Sequence, residues 1–311
     1  MLRYIGKRLL QMIPVLIGIA FIIFFIMDFT PGDPARLILG QSATAEAVEQ
    51  LTEEMGLNDS FFTRFFRYIY NAVVNLDFGV SYRTMKPVFD DVFTRFPVSI
   101  YIALCGMIGS TLFGIPLGVL SAVKQYSKLD TAVNVVAMTM VAMPPFWVAM
   151  VLILVFSLYL GVLPSAGATT WIHYILPTIT LTLANGSAVL RITRSSMLET
   201  IRMDYVRTAQ AKGVPRRVII FKHAFKNALL PVITTVGYIF GSLLGGAIIC
   251  ETVFAMPGLG SLIVLSIKMK DIPVVMASII LLALSYGVIM LIVDLMYAFI
   301  DPRIKAKYQR G

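Results

Sequence analysis

Apolar residues fall into six long runs, and the polar positions between them set their ends. The runs lie near Leu9–Met27, Val98–Val123, Thr131–Leu160, Ile175–Ser195, Ala228–Cys250 and Val274–Ile300. Each is long enough for a helix to cross roughly 30 Å of hydrocarbon. The third contains Met143-Pro144-Pro145 and is expected to break or kink there, because proline removes a helical hydrogen bond. The fourth is the least apolar, with Thr178, Thr180, Thr182, Asn185, Gly186 and Ser187. The fifth carries Gly237, Gly241, Ser242, Gly245 and Gly246. Small residues four apart let helices approach closely, so this face is expected to pack on a partner helix or to line a pathway. Arg3, Lys7 and Arg8 precede the first run, as in a signal peptide. The run is long enough to span, and no small-x-small cleavage site follows it, so it reads as an uncleaved first helix.

Residues 29–96 form a long polar segment. It opens on Thr30-Pro31-Gly32-Asp33-Pro34, a cluster that stops a helix. Thr44–Met55 and Phe61–Val74 have helical patterning, separated by Gly56–Ser60. A structureless loop of this length is uncommon, so the segment is expected to be a small helical cap outside the membrane, the alternative being a plain tether. It holds nine acidic residues against six basic ones, which suits docking of basic groups.

The other long polar stretch, ETIRMDYVRTAQAKGVPRRVIIFKHAFKNALLP (199–231), carries seven Lys and Arg against Glu199 and Asp204. Each charge costs about 2.5–3.5 kcal/mol at the centre of a spanning helix, so the stretch faces water. Ile201, Tyr205 and Ala209, with Thr208 beside them, recur at helical spacing. Lys212 then Gly213 is a helix ending, and Pro215 suits a new start. The pattern predicts helix, tight turn, helix: either a short rigid knob that fits a groove on another protein or an ordinary solvated loop.

Composition and charge sharpen this picture. The chain has 311 residues, 58% hydrophobic and only 14% charged. A soluble domain carries about 25% charged residues, so this is an all-α polytopic membrane protein. A net charge of +9 would suit nucleic acid in a soluble protein. Here it is a topology signal, and no nucleic-acid partner is implied. Eighteen of the 26 basic residues lie in the N-terminus, 124–130, 191–227 and the C-terminal tail, all on one side of a six-span chain. The short opposite loop 161–173 has none. That asymmetry predicts both termini in the cytoplasm. Cys105 and Cys250 fall inside runs, so no disulfide framework is expected. Asp294, inside the last run and seven residues before Asp301, is a candidate for a structural or helix-end role ahead of transport chemistry. No Gly-rich Lys-Ser/Thr loop, nucleophile–base constellation or metal-ligand spacing is present, so no catalytic or metal site and no bound cofactor is expected.

The stretch Tyr205–Gly213, YVRTAQAKG, with Asn227–Pro231, NALLP, resembles the cytoplasmic coupling loop of ABC-importer permeases in the dipeptide, oligopeptide and nickel branch. Arg207 and Thr208 stand where the general motif has Glu and Ala, whereas Ala209 and Gly213 fit it. LDFGVSYRTMKPVFDDVFTRFP (76–97), ETVFAMPGLGSLI (251–263) and LIVDLMYAFIDPRI (291–304) resemble the same family, so the likeness runs nearly end to end. ETVFAMPGLGSLI itself reads as a re-entrant or surface turn outside the last two spans.

The resemblance implies a type I ABC-importer permease fold: six transmembrane helices with a helical extracytoplasmic insertion after the first. The implied parts are a first helix (1–28), the insertion (29–96), a core (97–302) holding the coupling loop (196–227), and a cytoplasmic tail (303–311). It implies a bacterial cytoplasmic-membrane location, a homologous second permease, two ABC ATPase subunits that bind ATP and Mg, and an extracytoplasmic substrate-binding protein. The 199–213 helix would dock on an ATPase through Asp204, Tyr205, Arg207, Thr208, Ala209, Gln210, Ala211, Lys212 and Gly213. Ala209 would face the ATPase. Asn185, Gly237, Gly241, Ser242, Gly245 and Asp294 would serve the pathway or helix packing. The cargo implied is a dipeptide or oligopeptide, with a nickel complex or another small solute left open. An ion-coupled secondary transporter is the rival reading. Such proteins often show inverted repeats and paired intramembrane charges, and neither is visible here. A membrane scaffold without transport is the second rival.

Overall fold

A computed structural model describes residues 2–30, 32–40 and 42–300. Pro31 of the turn cluster, the Asp301-Pro302-Arg303 segment and the 303–311 tail lie outside the described residues. In chain order the α-helices are α1 (Leu2–Phe29), α2 (Pro34–Leu39), α3 (Ala45–Glu54), α4 (Phe61–Val74) and α5 (Val88–Val123), then α6 (Lys128–Ala142), α7 (Pro145–Leu152), α8 (Ile175–Ile201), α9 (Asp204–Ala211) and α10 (Arg216–Val218), and last α11 (Lys226–Gly246), α12 (Ile248–Val253), α13 (Leu259–Lys268) and α14 (Ile272–Ile300). π-helical turns, Ile153–Tyr159 and Ile219–Phe225, extend α7 and α10. Among the described residues, five stretches are long and apolar enough to cross a membrane: Arg3–Phe29, Val88–Val123, Trp171–Ile201, Arg216–Gly245 and Ile272–Met296. The pair Lys128–Ala142 and Pro145–Tyr159, bent by 98° at the expected proline break, makes a sixth if it is one span.

The residues form two compact units. One is built from 2–99 and 257–287. Its helix starts are fixed by capping side chains. Asp33 accepts from Ala35 N and Arg36 N, Thr44 from Ala47 N, and Ser60 from Thr63 N, each satisfying a backbone donor the helix leaves open. α3 and α4 therefore match the expected segments, whereas α2, six residues long, shows no periodicity to read. The core is aromatic: Phe24 of α1 meets Phe65 of α4 at 5.6 Å between centroids, over buried Met27 and Met276. Such pairs add about 0.5–1.5 kcal/mol beyond the area they bury.

Ionic bonds close this unit. Arg64 Nη2 meets Asp28 Oδ1 at 2.6 Å, and Lys270 Nζ donates to Gly32 O at 2.6 Å. Burial pushes the Lys270 ammonium below its ordinary pKa, partly offset by Asp28 and Asp33. Asp271 organises the 81–84 turn. It accepts from Ser81 Oγ, from Tyr82 N at 3.1 Å and from Arg83 N at 3.4 Å. Burial, reinforced by the Asp271 charge, pushes the Tyr82 phenol up to about 12.

The second unit holds 100–256 and 288–300. Its core runs along α8, which packs on α6, α7 and α11.

Several boundaries differ from the sequence reading. α5 starts at Val88, ahead of the apolar run that begins at Val98, and continues through Pro97. The fifth span starts at Arg216 rather than Ala228, since the basic segment is its first turns. ETVFAMPGLGSLI is mostly helical rather than a surface turn. Glu251, Phe254, Met256, Leu259 and Leu262 are each at most 1% exposed, so this apolar segment is packed away from solvent.

Removing the Asp271 carboxylate leaves three donors of one turn without their acceptor. Asp271→Ala is expected to free the 81–87 segment, so that trypsin cuts the purified protein at Arg83 under conditions where the parent resists. Equal resistance would show that the turn stands without Asp271.

Candidate functional site

α8 packs on α6, α7 and α11, holds Asn185 and leads into the knob. Glycines on α5 let the two backbones touch. A Cβ at Gly114 would lie 2.6 Å from Val189 Cβ and 2.8 Å from Gly186 O. One at Gly118 would lie 2.7 Å from both Leu190 O and Thr193 Cβ, and Gly109 packs on Thr182. The polar residues that set α8 apart mostly serve this seam or their own helix. Thr180 Oγ1 donates to Leu176 O, Thr193 Oγ1 to Val189 O, and Asn185 Nδ2 to Leu181 O at 3.0 Å.

About two turns before the end of α8, Arg194 grips Asp130 at the start of α6. Arg194 Nε lies 2.9 Å from Oδ1 and Nη2 lies 3.0 Å from Oδ2, the bidentate geometry that makes Arg–carboxylate pairs strong. Asp130 also accepts from Ser121 Oγ of α5, from Tyr126 N at 3.0 Å and from Asn134 Nδ2 at 2.8 Å. Asp130 is only 4% exposed. The carboxylate therefore joins α5, α6 and α8. The sequence reading counted Arg194 only as one basic residue of the loop. An acidic residue opening one helix and an arginine closing another was the available signal.

α8 ends at Ile201, and an extended Met203 (φ −69, ψ 147) breaks the chain before α9. The knob helix is thus 204–211, shorter than the expected 199–213, whose first residues belong to α8. Val206 and Ala209 are buried against Ile219, with Val214 beside them. Gly213 takes φ +74; Val214 N donates to Ala209 O at 3.2 Å and Gly213 N to Gln210 O at 2.9 Å. This pair of bonds, with Val214 packed against the helix, is the Schellman ending that glycine permits. Asn227 Nδ2 donates to Tyr205 Oη at 3.0 Å, tying α9 to the start of α11. The result is a small rigid hairpin.

The hairpin sorts the expected coupling residues. Asp204, Tyr205, Arg207, Thr208, Gln210, Ala211, Lys212 and Gly213 are exposed. Ala209 is not: it faces inward, because the apolar stripe of α9 is Val206 and Ala209 rather than Tyr205 and Ala209. Behind the hairpin a cavity of about 650 Å³ opens among Gln125, Tyr126, Arg202, Gln210 and Arg216.

The expected small-residue face of α11 divides too. Gly237 and Gly241 are buried, and a Cβ on Gly237 would collide with Val293 of α14, so this chain itself supplies the close partner there. Gly245 is exposed with open space beside it, Ser242 is half-buried, and Asp294 is half-buried on α14. The structure does not gather Asn185, Ser242 and Asp294 into one cluster of bonded groups: the bonds of Asn185 and Ser242 run to their own helices. Cys105 and Cys250 are free thiols.

Arg194→Ala is expected to destabilise the purified protein by about 2–3 kcal/mol, the cost of taking the two arginine donors from a buried carboxylate. The check is thermal unfolding in detergent. Replacing both partners, Asp130→Asn with Arg194→Met, is expected to recover part of the loss.

Comparison with known proteins was made against this geometry. The family model described as binding-protein-dependent transport system inner membrane component matches residues 114–306. The model of its N-terminal part matches residues 1–103. The glutathione transport system permease proteins GsiC of Escherichia coli (strain K12) and of Shigella dysenteriae serotype 1 (strain Sd197) are each 41% identical over 307 residues, covering 99% of this chain and 100% of theirs. Among solved structures, an inward-facing MetNI methionine ABC transporter aligns with a TM-score of 0.55 at 18% identity, over 65% of this chain and 93% of that one. An amino acid ABC transporter solved with histidines aligns with a TM-score of 0.50 at 14% identity, over 68% and 92%. At these identities the structural likeness shows the fold alone.

Proposed function

From a chain that belongs to the binding-protein-dependent transport system inner membrane component family, we propose an importer half-pathway for short peptides, driven through α9. The chain is a multi-span permease subunit of an ABC importer, and it leaves ATP hydrolysis to a partner. The observation that carries the peptide assignment is the full-length 41% identity to permeases named for glutathione, itself a tripeptide.

The proposed assembly adds a homologous second permease, two ATPase subunits that hold ATP and Mg, and an extracytoplasmic binding protein. Both termini and α9 lie in the cytoplasm, as the distribution of basic residues supports. Residues 29–96 then lie outside. α9 fits a cleft on an ATPase through its exposed arc, Asp204, Tyr205, Arg207, Thr208, Gln210, Ala211 and Lys212. Gly213 and the inward-facing Ala209 hold that arc in shape. The Asp130–Arg194 pair binds the helix that leads into α9 to α5 and α6. Displacement of α9 therefore reaches the bent α6–α7 pair instead of being lost in a loose joint. A nucleotide state drives this only by favouring one arrangement of the pore over another. Asn185, Ser242 and Asp294 serve the pathway or its helix packing once the second permease covers them, with Gly241 and Gly245 as helix-packing positions.

The test is uptake of labelled glutathione, dipeptides and oligopeptides into vesicles, with each component omitted in turn. ATP-dependent uptake is expected only with both permeases, the ATPases and the binding protein present. Uptake by this chain alone on a proton or sodium gradient would establish a secondary transporter instead. Transport of a nickel complex but no peptide would overturn the cargo. For the topology, single cysteines at Ala45 and Ala166, in a background lacking Cys105 and Cys250, should react with an impermeant thiol reagent from outside. Silence at both would reverse the orientation.

A further inference from the structure

α4 is apolar on more of its circumference than the core uses. At about 100° per residue its side chains fall into three arcs. Phe61, Phe65 and Tyr68 point toward the aromatic core with α1. Thr63, Arg67 and Asn71 form a polar arc. Between these lies a third arc, Phe62, Phe66, Tyr70 and Val73, which is 60%, 64%, 60% and 69% exposed and carries no charge. Water-facing surfaces rarely keep so contiguous an apolar patch without a use for it.

The patch is continuous with the exposed flank of α1, a membrane-spanning candidate. Phe25 of α1 meets Phe61 at 6.0 Å between ring centroids, Phe61 meets Phe62 at 5.3 Å, and Phe62 meets Phe66 at 6.5 Å. Phe25 and Phe29 of α1 are themselves 46% and 70% exposed. An unbroken strip of rings thus runs from the flank of a spanning helix onto the third arc of α4.

We propose that α4 is an interfacial helix: its Phe62–Phe66–Tyr70–Val73 arc is seated in the boundary between lipid headgroups and acyl chains of the leaflet that α1 exits. The chemistry fits a lipid surface. Phe rings occupy the acyl side, Tyr70 borders the polar arc where its hydroxyl meets headgroups, and Arg67 and Asn71 face water. The arc continues the strip of rings on the exposed flank of α1, so the medium that covers that flank covers the arc as well. Lipid contact fixes the depth of the segment 34–74 at the membrane surface, whatever binds above it.

The test uses the full chain in vesicles of phosphatidylethanolamine and phosphatidylglycerol, spin-labelled at single cysteines replacing Phe62, Phe66, Arg67 or Asn71. Collision with oxygen, which concentrates in lipid, and with a water-soluble nickel chelate is read at each position. The inference expects oxygen collisions to dominate at 62 and 66 and nickel collisions to dominate at 67 and 71. Equal, high nickel collision at all four would overturn it. Nickel exposure at 62 and 66 that disappears only when the binding protein or the second permease is added would overturn it too, assigning the arc to a protein. The replaced side chains are all outside the Phe24–Phe65 core, so the labelled proteins keep the fold being tested. The outcome is independent of cargo and of ATPase coupling.

Discussion

One carboxylate ties three helices of the second unit together. Asp130 takes hydrogen bonds from Ser121 of α5, from the backbone at Tyr126, from Asn134 and from both prongs of Arg194. Buried charge is costly unless fully bonded, so these partners cannot be varied one at a time without penalty. The constraint is steric as well as ionic. The Gly114 and Gly118 contacts bring α5 against the backbone of α8, which sets Arg194 within reach of Asp130. α8 can then deliver its far end, and α9 after it, in a fixed direction.

The first unit reaches the same end with different means. Its short helices are too small to be stable alone, since helices under about 12 residues are marginal in water. They are held by side-chain caps, by the Phe24–Phe65 core, and by Lys270 and Asp271, which bind Gly32 and the 81–84 turn from a distant part of the sequence. The acidic excess that marks 29–96 in the sequence is partly used internally. Asp33 caps a helix, Asp59 pairs with Arg67, and Asp91 accepts from Thr84.

The features legible in the sequence are those with a local cause. Long apolar runs, the break at Met143-Pro144-Pro145, the helical patterning of Thr44–Met55 and Phe61–Val74, and the Lys212-Gly213 ending depend on a few neighbouring residues. The misread features depend on partners distant in sequence. The apolar run marks only Val98–Val123, yet the helix begins at Val88 and continues through Pro97. Ala209 and Tyr205 share a helical spacing, but only the position of Ile219 decides that Ala209 and Val206 turn inward. Gly237 advertises a close neighbour without saying that Val293 of the same chain is that neighbour. The Asp130–Arg194 pair joins residues 64 apart, and no periodicity announces it.

The central claim is that α9 is the contact through which ATPase action reaches the spans. Its most direct measurement is the reactivity of a single cysteine at Gln210, in a chain without Cys105 and Cys250, in vesicles of known orientation. The account predicts labelling from the cytoplasmic side only, protection when the ATPase subunits are bound, and a change in that protection when ATP is added. A cysteine at Gln210 that reacts equally with and without the ATPases, or that reacts from outside, would contradict it.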